Sequence, residues 1–173
     1  GLNLAITFGA NISGLALAWV LQANGGVDAG AGAFILGVLL ALGVGALNGM
    51  AMGLVIAYTK AHPILVTLSM MIFLRGLGDI SGFPAFLAPI GYGTILGIPI
   101  PLLIFIGCVV IWHVLLTRMK LGFNTYMIGS NIEATRYSGI NTRKVVVLVY
   151  TLSGMMCAVA GIIMLARFNS VRV

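Results

Sequence analysis

The charges of this chain are gathered into a few places, and that pattern confines it to very few folds. Residues 2–21, 33–57, 98–116 and 145–166 contain no Asp, Glu, Lys or Arg. Five of the nine Lys/Arg (Arg118, Lys120, Arg136, Arg143 and Lys144) sit instead in residues 118–144, with one of the three acids, Glu133. Long uncharged apolar runs separated by a basic island read as membrane spans around a polar loop. Composition agrees. Hydrophobic residues make up 61% of the chain and charged residues 7%, where a soluble domain carries about 25%. So few polar groups do not cover a surface in water, so the solvent is mostly lipid. The formal net charge of +6 does not indicate nucleic acid, because the basic residues flank apolar runs rather than alternating with aromatics on one face.

The spans differ in quality. Residues 33–57 are long enough to cross at about 1.5 Å per residue, even when tilted. Residues 64–77 are apolar but short and carry Arg75, which reads as a broken or half-span helix. Residues 98–116 begin with Pro99 and Pro101 in the first turn, where a missing N–H is tolerated. Residues 22–32 and 82–97 are turn-rich links, and residues 59–63 form a tight turn. With the net +4 island placed in the cytosol, the 22–32 and 82–97 links fall outside and the Lys60 turn falls inside. Arg167 and Arg172 then fall outside, against the trend but outnumbered.

Within the island lies a helix signature. Asn131 is a natural N-cap, Glu133 falls in the first turn, Arg136 near the end, and Gly139 at the C′ position. A capped amphiphilic helix in a cytosolic loop points to a soluble partner. In the spans, Gly45, Gly49 and Gly53 recur every four residues, as do Ser153, Cys157 and Gly161. Small residues at that spacing let helix backbones approach closely; bundle packing and sliding surfaces are both open readings.

Chemistry is sparse. No G-x-x-x-x-G-K-[ST] loop, H-E-x-x-H or Cys-x-x-Cys occurs, and His62 and His113 lie far apart, so no ATP site, metal site or catalytic residue is assigned. Cys108 and Cys157 read as small packing residues. Arg75 is the one strong charge deep in an apolar run. It either pairs with Asp79 or snorkels to the outer surface, or it lines a solute path. Asn3, Asn11, Asn48, Thr67, Ser69 and Ser153 are the other path candidates; each can instead bond a neighbouring helix.

Residues 128–167, IGSNIEATRYSGINTRKVVVLVYTLSGMMCAVAGIIMLAR, carry a resemblance. They look like the G-x-N-x-E-A-A-R-x-S-G-I loop and following Y-x-x-S-G-x-x-A-x-x-A-G span of bacterial ABC-importer permeases of the ribose/simple-sugar type, in the branched-chain amino-acid/ribose permease family. Glu133, Ala134 and Gly139 fit the spacing of that family's EAA loop, with Thr135 for its second Ala. ALNGMAMG (46–53) and HPILVTLSMMIFLRGL (62–77) resemble two further blocks. Two departures stand out. Asn3 occupies the Asp of an early G-x-D-L-S block, and RGLG runs directly into DISGFPAFL, where relatives have several more residues.

The resemblance implies an all-α polytopic bundle with a short cytosolic coupling helix, in the bacterial inner membrane. It implies a cytosolic ABC ATPase docking on Asn131, Glu133, Ala134, Arg136 and Gly139, a second permease copy or paralogue, and an extracytoplasmic solute-binding protein. The chain is then a single permease domain over residues 1–173 and a piece of a longer permease. The expected cargo is a small polar solute, a sugar first, with nucleosides or branched-chain amino acids as alternatives. ATP binding on the partner would move residues 131–138 as a lever and tilt the helices on either side. A passive channel or membrane scaffold is the reading from another class; no repeated polar ring or carbonyl filter marks a channel.

Overall fold

The computed structural model describes residues 3–24, 30–59, 61–77, 93–95 and 97–168, without the side chains of residues 75–77 and 168. Within them run α1 (Ile6–Ala23), α2 (Ala31–Thr59), α3 (Pro63–Leu77), β1 (Thr94–Ile95), β2 (Ile98–Pro99), α4 (Ile100–Arg118), α5 (Lys120–Ser130), α6 (Ile132–Tyr137) and α7 (Thr142–Phe168). Helices α1, α2, α4 and α7 are long and apolar enough to cross a membrane. With 15 residues, α3 falls short of the roughly 20 a crossing needs. The chain is an all-α membrane bundle.

Three boundaries depart from the sequence reading, each for a local reason. Pro99 pairs with Thr94 in a two-stranded antiparallel hairpin turning at Gly97 (φ 82°), so it caps α4 and leaves Pro101 in the first turn. The predicted loop over 82–97 therefore runs into a small hairpin; of its residues, 82–92 and 96 lie outside the described set. The last span starts at Thr142 rather than at residue 145, because the Asn141 side chain accepts the Lys144 N–H at 3.2 Å and caps it. Finally, the first half of the island is helical. After a single extended residue, Met119, the chain continues as α5, which folds back until Gly122 meets the Leu116 backbone. A Cβ at position 122 would collide with that carbonyl, so only glycine fits this approach.

The core is α1, α2 and α7, and it is built backbone to backbone. On α2, Gly45 faces Gly154 and the Ala158 methyl, Gly49 faces the Tyr150 carbonyl, and Gly53 faces Val147. The α7 residues at these contacts are Tyr150, Gly154 and Ala158. The set singled out in the sequence lies on the neighbouring stripe and meets α1: Ser153 bonds Asn3, Cys157 lies by Gly9, and Gly161 abuts Ala10 and Gly14. Thus α7 packs two small-residue faces at once. Rising positions on α7 meet falling positions on α2 and rising ones on α1, so α2 runs antiparallel to the other two. Buried clusters close each end, Leu17, Leu21, Ala41 and Leu165 at one and Ala5, Met52, Leu74 and Tyr150 at the other. Lipid is as apolar as these side chains, so close van der Waals contact rather than escape from water holds the three helices together.

Helix α4 is different. None of its residues is buried. It stands off from α7 across an apolar cleft of about 540 Å³, lined by Phe105, Cys108, Trp112 and Leu116 on one side and Met156, Ala160 and Ile163 on the other.

Candidate functional site

At the end of the bundle that carries the island, three helices follow one another with almost no loop. Asn131 is the joint between two of them. Its backbone is extended (φ −158°, ψ 108°), which ends α5, and its N–H bonds the Met127 carbonyl at 3.1 Å. Its side-chain oxygen accepts the Ala134 N–H at 3.1 Å, which starts α6. One residue therefore satisfies backbone groups on both sides of a corner.

Helix α6 is a single capped unit of six residues. Glu133 lies in its first turn and Arg136 in its last, each placed favourably in the helix dipole. Thr135 is its one buried residue, and its hydroxyl donates to the Asn131 carbonyl at 2.7 Å. Thr135 thus points inward where the family's second Ala would be, and its hydroxyl is satisfied locally. At the far end Ser138 N–H bonds the Ala134 carbonyl and Gly139 N–H the Arg136 carbonyl, both at 3.1 Å. Gly139 has φ 78°, the left-handed conformation in which a side chain is strained, and it turns the chain toward α7. Asn131, Glu133, Ala134, Arg136 and Gly139 are all exposed. So are Ile132 (57%) and Tyr137 (88%), which the sequence reading left out. Beside this unit, the Arg143 guanidinium carbon lies 5.3 Å from the Tyr58 ring centroid, joining the first turn of α7 to the last turn of α2. Neither residue is marked by any motif; only the antiparallel register of α2 and α7 brings them together.

Among the described residues, the path candidates are spread over α1, the residues just before it, α2, α3 and α7. Asn3 donates to the Ser153 hydroxyl at 3.2 Å and accepts the Ala5 N–H, tying the start of α1 to α7. Thr67 is buried on α3 with its hydroxyl turned to the Pro63 and Ile64 carbonyls. Ser69, exposed, donates to the Leu65 carbonyl at 2.9 Å and sits in an apolar cleft between α2 and α3. Asn11 is buried on α1. Asn48 lies against Gly9, with a buried side-chain oxygen that meets no hydrogen-bond donor among the described residues. The Tyr150 hydroxyl, absent from the sequence candidates, is in the same position. The Arg75 side chain and Asp79 both lie outside the described residues, and with them the expected pair.

Residues 1–173 match the family described as branched-chain amino acid transport system / permease component. The chain belongs to that family. As a family member with four candidate spans, it is a multi-pass protein of the cytoplasmic membrane. It is 34% identical to the autoinducer 2 import system permease protein LsrD of Yersinia enterocolitica over 146 residues, covering 77% of this chain and 44% of that one. It is 30% identical to LsrD of Photorhabdus luminescens over 183 residues, covering 98% and 54%. The D-allose transport system permease protein AlsC of Escherichia coli K12 is 30% identical over 177 residues, covering 98% and 52%. The chain spans about half the length of the curated relatives it matches. The Photorhabdus match is longer than the 173 residues of this chain, so that relative carries insertions inside the matched region. No solved structure matches.

Proposed function

We propose that this chain is part of the membrane-spanning subunit of an ABC importer, and that it passes a small polar solute, a sugar first, using ATP hydrolysed by a cytosolic partner. The observation that supports this most is α6. It is short, capped at both ends and exposed along the residues of the family loop, and it is joined to spanning helices by α5 on one side and Gly139 on the other. Such a unit transmits a push without absorbing it. The partner ATPase would receive Ile132 and Tyr137 as apolar anchors flanking Glu133 and Arg136. The net charge of the island supports a cytosolic location for it. The names of the relatives, autoinducer 2 and D-allose importers, favour a sugar or sugar-like cargo over a nucleoside or amino acid.

Asn3, Asn11, Asn48, Thr67, Ser69, Arg75 and Ser153 remain the residues for a path. Asn48 is foremost, since its buried oxygen meets no hydrogen-bond donor among the described residues. Selection and affinity then belong mainly to an extracytoplasmic binding protein, because a tight sugar site needs several convergent hydrogen bonds beside an apolar wall. A second permease copy or paralogue completes the pathway.

The test is uptake by the full-length permease with its ATPase and binding protein. Glu133→Lys and Gly139→Val should both lower uptake and co-purification of the ATPase while leaving the permease inserted. Unchanged transport in both would remove the coupling role. Micromolar binding of a sugar to the permease alone would overturn the weak-path reading.

A further inference from the structure

The glycine contacts decide how a displacement of α6 can spread. Position 154 touches the Gly45 backbone and position 161 the Ala10 backbone, with no side-chain layer between helices to slide on. Interfaces of this kind move as units, because repacking requires backbones to part. The seam between α2 and α7 runs from Gly45 opposite Gly154 through Gly53 opposite Val147. Beyond Gly53 the glycines of α2 stop, and after Ala57 the side chain of Arg143 reaches over Tyr58. That contact sits where α7 emerges from the turn after α6, where a lever would load the seam first. On the other side, α4 has no buried residue and faces α7 across an open cleft.

We propose that Arg143 and Tyr58 are positioning residues that fasten the end of α2 to the start of α7, so that movement of α6 carries α1, α2 and α7 as one body against α4. The movement itself rests on the ATP-coupled reading above. The clasp is a cation held over an aromatic face, so it needs the ring of Tyr58 but not its hydroxyl.

The experiment uses the full-length permease with its ATPase in nanodiscs, with Cys108 and Cys157 replaced and spin labels on exposed lipid-facing positions. One pair, Leu54→Cys with Leu148→Cys, spans the α2–α7 seam; the other, Val114→Cys with Leu148→Cys, spans the α4–α7 cleft. Magnesium, ATP and vanadate should shift the distance across the cleft and leave the seam distance unchanged. Without nucleotide, Tyr58→Leu should widen the seam distribution, while Tyr58→Phe keeps the width of the parent. A nucleotide-dependent shift across the seam equal to that across the cleft overturns the one-body proposal. A seam as narrow in Tyr58→Leu as in the parent overturns the clasp, whatever nucleotide does. If neither distance responds to nucleotide, the ATP-coupled reading falls, and the one-body movement with it.

Discussion

Helices α2 and α4 are both long and apolar, with Arg118 at the end of α4 as their one charge, yet they make opposite use of glycine. In α2, Gly45, Gly49 and Gly53 are buried against backbone, and a methyl at any of them would meet α7. In α4, Gly107 has open space where its Cβ would be, and so has Gly43 on the far face of α2. The same residue is therefore an interface in one place and filler in another. What separates them is the four-residue repeat, which places small residues on a single stripe, rather than glycine content.

Substitutions at these glycines give the sharpest test. Gly154→Leu or Gly49→Leu should destabilise the bundle by about 1–3 kcal/mol or more, since the backbone across the seam cannot yield. Gly107→Leu should be close to neutral. Thermal unfolding of the detergent-solubilised full-length protein measures both, and equal losses would erase the distinction between α2 and α4.

A smaller effect is expected at the ends of α6. Asn131→Ala removes the side-chain cap of α6 and keeps the backbone N–H that closes α5, and should cost about 0.5–2 kcal/mol. Gly139→Val imposes a left-handed conformation on a branched residue, at roughly 1–2 kcal/mol. Hydrogen exchange of the island reads both. Protection should fall in α6 for Asn131→Ala, and remain at parent levels in α2.

Smaller still is the polar tie between α1 and α7. Asn3→Ala or Ser153→Ala should each lose about 0.6 kcal/mol, the average for a hydrogen bond between membrane helices. Tyr150→Phe, which deletes a buried hydroxyl without a partner among the described residues, should leave stability unchanged or slightly raised. A clear loss in Tyr150→Phe would mean that its hydroxyl is satisfied by water or solute. At the orientation level, a Cys at Ser130 should react with impermeant thiol reagent only from the cytosolic side.

What could be read from the sequence followed the range of the interaction. The spans are legible because each is a property of one continuous run. The cap of α6 is legible because Asn131, Glu133 and Gly139 act within a few residues of one another. The Asn141 cap obeys the same rule but was hidden by Arg143 and Lys144, whose charge made the first turn of α7 look like loop. Helix α5 was hidden by the island's polarity and by Gly122, which reads as a breaker until Leu116 is seen beside it. The repeat in α7 announced a packing face but not which neighbour it meets; Ser153, Cys157 and Gly161 turned to α1 while Gly154 and Ala158 took α2. Arg143 over Tyr58 and Asn3 on Ser153 join residues far apart in the chain, and no local pattern encodes such partners.

The Asn3–Ser153 bond also sets an order of events during synthesis. Its partners are separated by 150 positions, and α7 is the last helix of the described chain. At about 5–20 residues per second, the ribosome needs roughly ten seconds or more to supply the second partner after the first. Through that interval α1 and α2 wait in the bilayer with their glycine stripes open to lipid. The stripe that later makes the tightest seam is thus the surface most exposed to a wrong neighbour. The delay between making α2 and making α7 is a window in which this seam can pair wrongly.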